Sequence, residues 1–357
     1  MSQGYRLNGG HVGFKNNWSS TKQGVWDIKS PYVNSNLALP TQPSSVYFTP
    51  SRALSSSASS SAHTNGPSVS EGRAWLGGTS NGGQNLDWVG DDEYYSMPET
   101  GYQKVMIFSA GSYRLTARGA GAGRTDTTFR GRGVTVQATF TLSQLDYLLI
   151  AVGQGVPDFT GDHCNGGAGA TWIAHGGVVS SALMLLVGSG AGGDTSDGAT
   201  STQPNTTLNV TVTNVGGVSG SATTPVNGSG VSVGSGGNSA SQPNSGGYLS
   251  AGTNNSGTGG GGFRAGNLVG GSRSNSTAGY GGFGGGSGGF DERGNAGGGF
   301  TGAYGVDNTA DTGHGASFIR DTGTSTSIAL NAASTTYQAS DYTGTDQYQG
   351  WARVEKL

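Results

Sequence analysis

Four short stretches carry residue types that could do chemistry. "DHCNGG" sets Asp162, His163 and Cys164 side by side, a group able to ligate a metal or to pair a thiolate with a base. Successive side chains of an extended segment point to opposite faces, so the three make a poor chelate. No third group that would orient a Cys–His pair is identifiable, and the stretch reads as a turn before "GGAGA". Asp91, Asp92 and Glu93 offer oxygens to Ca²⁺ but read as a solvated acidic turn. Asp291 and Glu292 sit in a glycine turn beside Arg293; as glycosidase carboxylates they would need another segment to complete a cleft, so they read as loop-tip residues. Gly188, Gly190 and Gly193 have G-x-G-x-x-G spacing after an apolar run. A dinucleotide site needs a helix N-terminus next, and "DTSDGATSTQPNTT" is a poor start for one. The expectation is no catalytic residue, no metal ligand and no cofactor.

What must position any site is an unusual chain. It has 357 residues, 70 of them glycine, with 11% charged residues and a net charge of −3. Ordinary domains hold about 7% glycine and about 25% charged residues. That balance gives nucleic acid nothing to bind electrostatically. Cys164 is the one cysteine, so no internal disulfide framework exists. The N-terminal "MSQGYRLNGGHVGF" lacks the apolar core of a signal peptide, and no run of 18 apolar residues occurs, so neither Sec-type export nor membrane insertion is expected.

Strand signals dominate from residue 101 onward. "VTVQATFTL" alternates Val134, Val136, Ala138, Phe140 and Leu142 with polar residues, and "SYRLTA" and "TLNVTVTNV" alternate likewise. "DYLLIAV" and "ALMLLV" are continuously apolar, as in strands buried on both faces. "YQGWARVEKL" reads as a closing strand. No long 3.6-residue period occurs, so an all-β chain with little or no α-helix is expected.

Between Gly259 and Gly305, 21 of 47 residues are glycine. Read with period three, Gly279, Gly282, Gly285 and Gly288 form an all-glycine row, which suits polyproline-II-type helices packed closely enough to exchange backbone hydrogen bonds. Collagen is rejected, because Asp291 breaks the row and the segment lacks proline. Ordering glycine costs about 1–2 kcal/mol of backbone entropy per residue, which dense hydrogen bonding must offset. A loop fixed only by an assembly is the other reading.

"GYQKVMIFSAGSYRLTARGAGAG", "ATFTLSQLDYLLIAVGQG", "GGAGATWIA", "ALMLLVGSGAGG", the glycine clusters and "GWARVEKL" follow one another in an order that resembles the glycine-rich domain of anaplastic-lymphoma-kinase-type receptor ectodomains. The resemblance covers about residues 100–357. It implies a jelly-roll-like β-sandwich carrying an inserted bundle of polyglycine-II helices, and similar bundles occur in bacteriophage tail-fibre adhesins. The receptors' signal peptide, membrane helix, kinase and cysteines have no counterpart here. The expectation is therefore a non-enzymatic virion structural protein, made in a host cytoplasm, of phage tail-fibre or adhesin type. An assembly or decoration protein without receptor role, or a tailspike-type carbohydrate-active enzyme, are the alternatives.

Residues 1–50 are expected to attach the protein to other virion proteins, with Trp18, Trp26 and Tyr32 at the interface. Residues 51–100 read as a Ser/Gly-rich connector and 101–357 as the glycine-rich β domain. Within the latter, 194–258 reads as a Ser/Thr/Asn-rich insertion, 259–305 as the polyglycine bundle and 306–357 as closing strands. Arg264, Asn267, Arg273, Asp291, Glu292 and Arg293, in turns joining the bundle, are the candidate contacts to a host receptor or glycan. A homo-oligomer is expected.

Overall fold

The structure, a computed structural model, describes residues 45–48, 96–99, 101–122, 131–156, 165–193, 203–253, 258–274, 279–289, 295–305, 312–331 and 349–357. All belong to one unit, Ser44–Leu357. Among the described residues there is no α-helix, only a 3₁₀ turn at Val179–Ser181, and the chain is all-β. The strands in chain order are β1 Ser45–Phe48, β2 Ser96–Glu99, β3 Tyr102–Met106, β4 Gly111–Arg118, β5 Val134–Leu142, β6 Tyr147–Ala151, β7 Thr171–His175, β8 Leu183–Gly188, β9 Leu208–Val215, β10 Val218–Thr223, β11 Ala296–Gly297, β12 Gly313–His314, β13 Phe318–Arg320, β14 Thr324–Leu330 and β15 Trp351–Lys356.

Thirteen of them form two antiparallel sheets, and β11 and β12 pair separately in parallel. One has five strands in the order β14-β5-β4-β15-β1, the other eight in the order β9-β10-β13-β8-β7-β6-β3-β2. The period-two strands make the five-stranded sheet. Tyr113, Leu115 and Ala117 of β4, the five alternating residues of β5, and Ala352 and Val354 of β15 all face inward and are buried. They meet Val105, Leu148, Ile150, Ile173, Leu186 and Ile319 from one face of the eight-stranded sheet. The opposite face of that sheet is buried too. Tyr102, Leu149, Ala151, Trp172, Met184, Val187 and Phe318 pack on Tyr248, Phe263, Leu268, Phe283 and Phe300 from the glycine-rich segments. This is why "YLLIA" and "LMLLVG" are apolar without alternation: the sheet is a middle layer, with glycine-rich backbone as the third.

The third layer does not hydrogen-bond as a sheet does. Residues 165–170 exchange backbone hydrogen bonds with five other segments: through Gly169 to Ala120, Ala168 to Ala191, Gly169 to Gln154, Gly167 to Gly282 and Ser287, and Ala168 to Gly298. A β-strand has at most two such neighbours. Glycine makes this approach feasible. A Cβ built on Gly169 would lie 1.7 Å from Phe283 O, one on Gly286 2.0 Å from Gly167 O, and one on Gly288 1.9 Å from Ser272 O. Among the described residues there, only β11 and β12, two residues each, pair as strands.

Three sequence boundaries move. Ser45–Phe48 belongs to the five-stranded sheet, pairing with β15, because Val46 and Phe48 alternate into the core; residues 1–50 are thus not wholly a separate attachment segment. Ser96–Glu99 likewise extends the eight-stranded sheet past the expected connector. The region 194–258 is no mere insertion: β9 and β10 continue the eight-stranded sheet, and 235–253 supplies backbone to the glycine layer. The threefold row is also interrupted. Gly284 and Gly285 have φ of +108° and +89°, and Gly286 N–H donates to Gly282 O, so the chain turns at Phe283–Gly285 instead of running straight from 279 to 288.

Candidate functional site

The glycine layer is fixed to the middle sheet by aromatic rings whose polar ends are satisfied. Phe300 stacks on Phe318 at 4.1 Å and on Tyr248 at 5.3 Å, and Phe263 meets Tyr102 edge-on at 5.2 Å. Tyr102 Oη donates to Phe263 O at 2.8 Å, and Tyr248 Oη to Ala182 O at 2.8 Å. Burial holds the Tyr248 phenol above its usual ionisation range, with Arg264 beside it pulling partly the other way. Two polar side chains fasten the backbone further. Asn244 donates from Nδ2 to Ser239 O and Gln242 O, both at 2.8 Å, and accepts from Ser239 N–H at 2.9 Å. His314, fully buried, accepts the Gly192 N–H on Nδ1 at 3.0 Å, which leaves the proton on Nε2 to donate to Thr312 Oγ1 at 3.0 Å.

The turn residues chosen from sequence have unlike surroundings. Arg264 is a clamp: its guanidinium lies 4.8 Å over the Tyr248 ring and donates to Ala182 O at 3.2 Å. Asn267 is exposed, and its Oδ1 accepts the Val269 N–H at 3.3 Å, a local turn bond. Arg273 lies over Tyr280 at 5.2 Å. The structure does not bring these three to one point through any shared contact it shows. Asp291, Glu292 and Arg293 lie outside the described residues, as do Trp18, Trp26 and Tyr32, and Asp162, His163 and Cys164. Gly279, Gly282, Gly285 and Gly288 are all buried against backbone: added Cβ atoms would meet Gly166 N, Gln154 O, Gly261 O and Ser272 O at 2.9, 2.1, 2.8 and 1.9 Å.

The G-x-G-x-x-G loop is filled by protein. Cβ atoms at Gly188, Gly190 and Gly193 would lie 2.5, 2.3 and 2.3 Å from the carbonyl oxygens of Ala117, Ala168 and Gly166, so a pyrophosphate has no room there. Among the described residues no group of three His, Cys, Asp or Glu could hold a metal ion, and no helix is long and apolar enough to cross a membrane.

The charged and aromatic residues that do converge lie elsewhere, on the outer face of the five-stranded sheet. Glu355 of β15 sits between two arginines, Arg114 of β4 at 3.2 Å from Oε2 and Arg353 at 3.5 Å from Oε1. Arg353 lies 5.2 Å over Tyr47 of β1, and Tyr47 meets Trp351 edge-on at 5.6 Å. On the next strands Gln137 donates to Thr116 at 3.0 Å, directly across from Arg353. The signal was present in sequence: in "SYRLTAR" and "WARVEK" the positions between the apolar ones are Arg, Thr, Trp and Glu. Attention to the inward residues of these strands passes over it.

No family model and no curated protein matches the chain.

Proposed function

We propose that this chain is a non-enzymatic structural protein of a virion, of the bacteriophage tail-fibre or adhesin type, which presents binding groups for host attachment on a rigid β and glycine-rich body. The observation that carries the reading is the third layer. Its segments bond to neighbours in more than two directions and are pinned by Tyr248, Phe263, Phe283 and Phe300 to a sheet buried on both faces. In a body of that kind the turns are free to carry recognition. The resemblance of residues 100–357 to glycine-rich jelly-roll domains, and to polyglycine-II bundles of phage adhesins, supports the same reading. No cleft with paired catalytic carboxylates is used in it. The test is adsorption. Purified protein should bind isolated envelopes of the host saturably and compete with particle attachment, and antibody against it should label an appendage. Particles that carry the protein but attach equally well without it would replace this reading with a decoration role.

A further inference from the structure

The outer face of the five-stranded sheet has three features that belong together. The first is charge. Arg114, Arg118 and Arg353 point outward against Glu355, three positive charges to one negative among the described residues of β1, β4 and β15, on a chain whose net charge is −3. Glu355 divides its two oxygens between Arg114 and Arg353, so the two guanidiniums share one carboxylate. The second is access. The side chains of Arg114 and Arg353 are 40% and 30% exposed, while Glu355 is 16% exposed, so the cations and not the carboxylate face outward. The third is the ring pair. Trp351 and Tyr47 are half-buried beside Arg353, with Arg118 opposite Trp351 on the next strand. Large aliphatic side chains, which the core of a protein–protein interface would need, are missing from the outward positions of β1, β4 and β15.

We propose that this face binds an acidic saccharide, a pyranose chain bearing carboxylates. Arg114 and Arg353 would take the carboxylate, since a guanidinium fork matches its geometry and is less strongly hydrated than an ammonium group. The edge and face of Trp351 give the C–H face of a sugar ring an apolar surface with a polar tip at hand. Gln137 and Thr139, outward on β5, supply an amide and a hydroxyl for ring hydroxyls. Glu355 holds both arginines in place beforehand, so little side-chain freedom is lost on binding. The site lies on rigid strands, apart from the turns of the glycine layer. It rests on the attachment reading only for its use in a virion.

The test uses the purified full chain without cells or particles, so its failure is separate from failure of the attachment reading. Oligomannuronate is titrated calorimetrically at low and at physiological salt, with cellohexaose as the neutral pyranose chain and oligothymidylate as a polyanion with stackable rings. The uronate should bind about tenfold or more tightly than cellohexaose, and more weakly at the higher salt. Arg114→Gln and Arg353→Gln should each weaken it about tenfold, and Trp351→Ala should do so for the uronate with unchanged salt dependence. Arg114 is the more exposed of the two, so its variant keeps the test valid should Arg353→Gln unfold. Failure of the uronate to bind, equal affinity for cellohexaose, tighter binding of oligothymidylate, or uronate binding unchanged in a folded Arg114→Gln protein would each overturn the proposal.

Discussion

Replacing Gly282 by alanine tests whether the glycine layer stands on backbone contact. The new Cβ would lie 2.1 Å from Gln154 O and 3.1 Å from Gly169 N. To clear 3.0 Å, segment 152–156 must shift by about 1 Å, since its carbonyl is the near atom. That carbonyl accepts the Gly169 N–H at 3.0 Å, and the Gln154 N–H donates to Phe283 O at 2.8 Å. Leaving buried groups of these bonds unpaired costs about 1–3 kcal/mol each, so roughly 3–5 kcal/mol in total is expected. For a domain of this size that is a fall in Tm of roughly 6–10 °C. Gly230→Ala is the control. Its φ is +77°, but nothing lies within 4 Å of the added Cβ, so it should cost only the left-handed strain of about 1–2 kcal/mol. Circular-dichroism melts and urea titrations of both variants measure the difference. A Gly282→Ala protein within about 2 °C of the parent, or a control that costs as much, would refute the view that backbone contact holds this layer.

Phe300→Ala should cost about 3–5 kcal/mol, because it removes the ring stacked between Phe318 and Tyr248; urea unfolding reads it. Tyr248→Phe should cost about 0.5–1.5 kcal/mol near neutral pH, because Ala182 O loses the shorter of its two hydrogen bonds and keeps that from Arg264. Burial raises the phenol's folded-state pKa, so the tyrosine stabilises below the unfolded value of about 10, and its contribution falls as pH rises above that. The difference between parent and Tyr248→Phe should therefore narrow in melts above about pH 10. Deletion of residues 1–43 should leave the melting transition of unit Ser44–Leu357 in place, whereas deletion through Phe48 should lower its stability by about 3–5 kcal/mol, since a fully buried phenylalanine and an edge strand go with it.

The strands were legible wherever one face is wet. Val134 to Leu142 announces its inward row by alternation, and the structure buries that row. The apolar runs at 147–151 and 183–187 announced burial on both faces but not what covers the second face, because a glycine layer leaves no periodic apolar signal of its own. The aromatics Phe263, Phe283 and Phe300 were visible, yet their partners Tyr102, Trp172 and Phe318 lie up to 161 positions away. Glycine's spacing showed that backbones approach closely but not along which line: the bend at Gly284 and Gly285 depends on positive φ that any glycine can adopt. Val46 and Phe48 were too few to signal a strand, since four residues hold only two inward positions. The Arg114–Glu355–Arg353 group was hidden for a related reason, being assembled across two strands 241 positions apart.

That separation has a consequence for synthesis. β15 lies inside the five-stranded sheet, between β4 and β1, so β4 has only β5 beside it and β1 is not joined to the sheet until residue 356 has left the ribosome. A nascent chain can pair β4 with β5 early, but the sheet stays split until the last strand inserts. Long-range closure of this kind is slow and comes after local pairing. Prematurely terminated chains consequently cannot reach the finished fold and expose Leu115, Ala117 and Val46 to quality control. In effect, the body is not rigid enough to be used until a strand made long after both its neighbours has joined them.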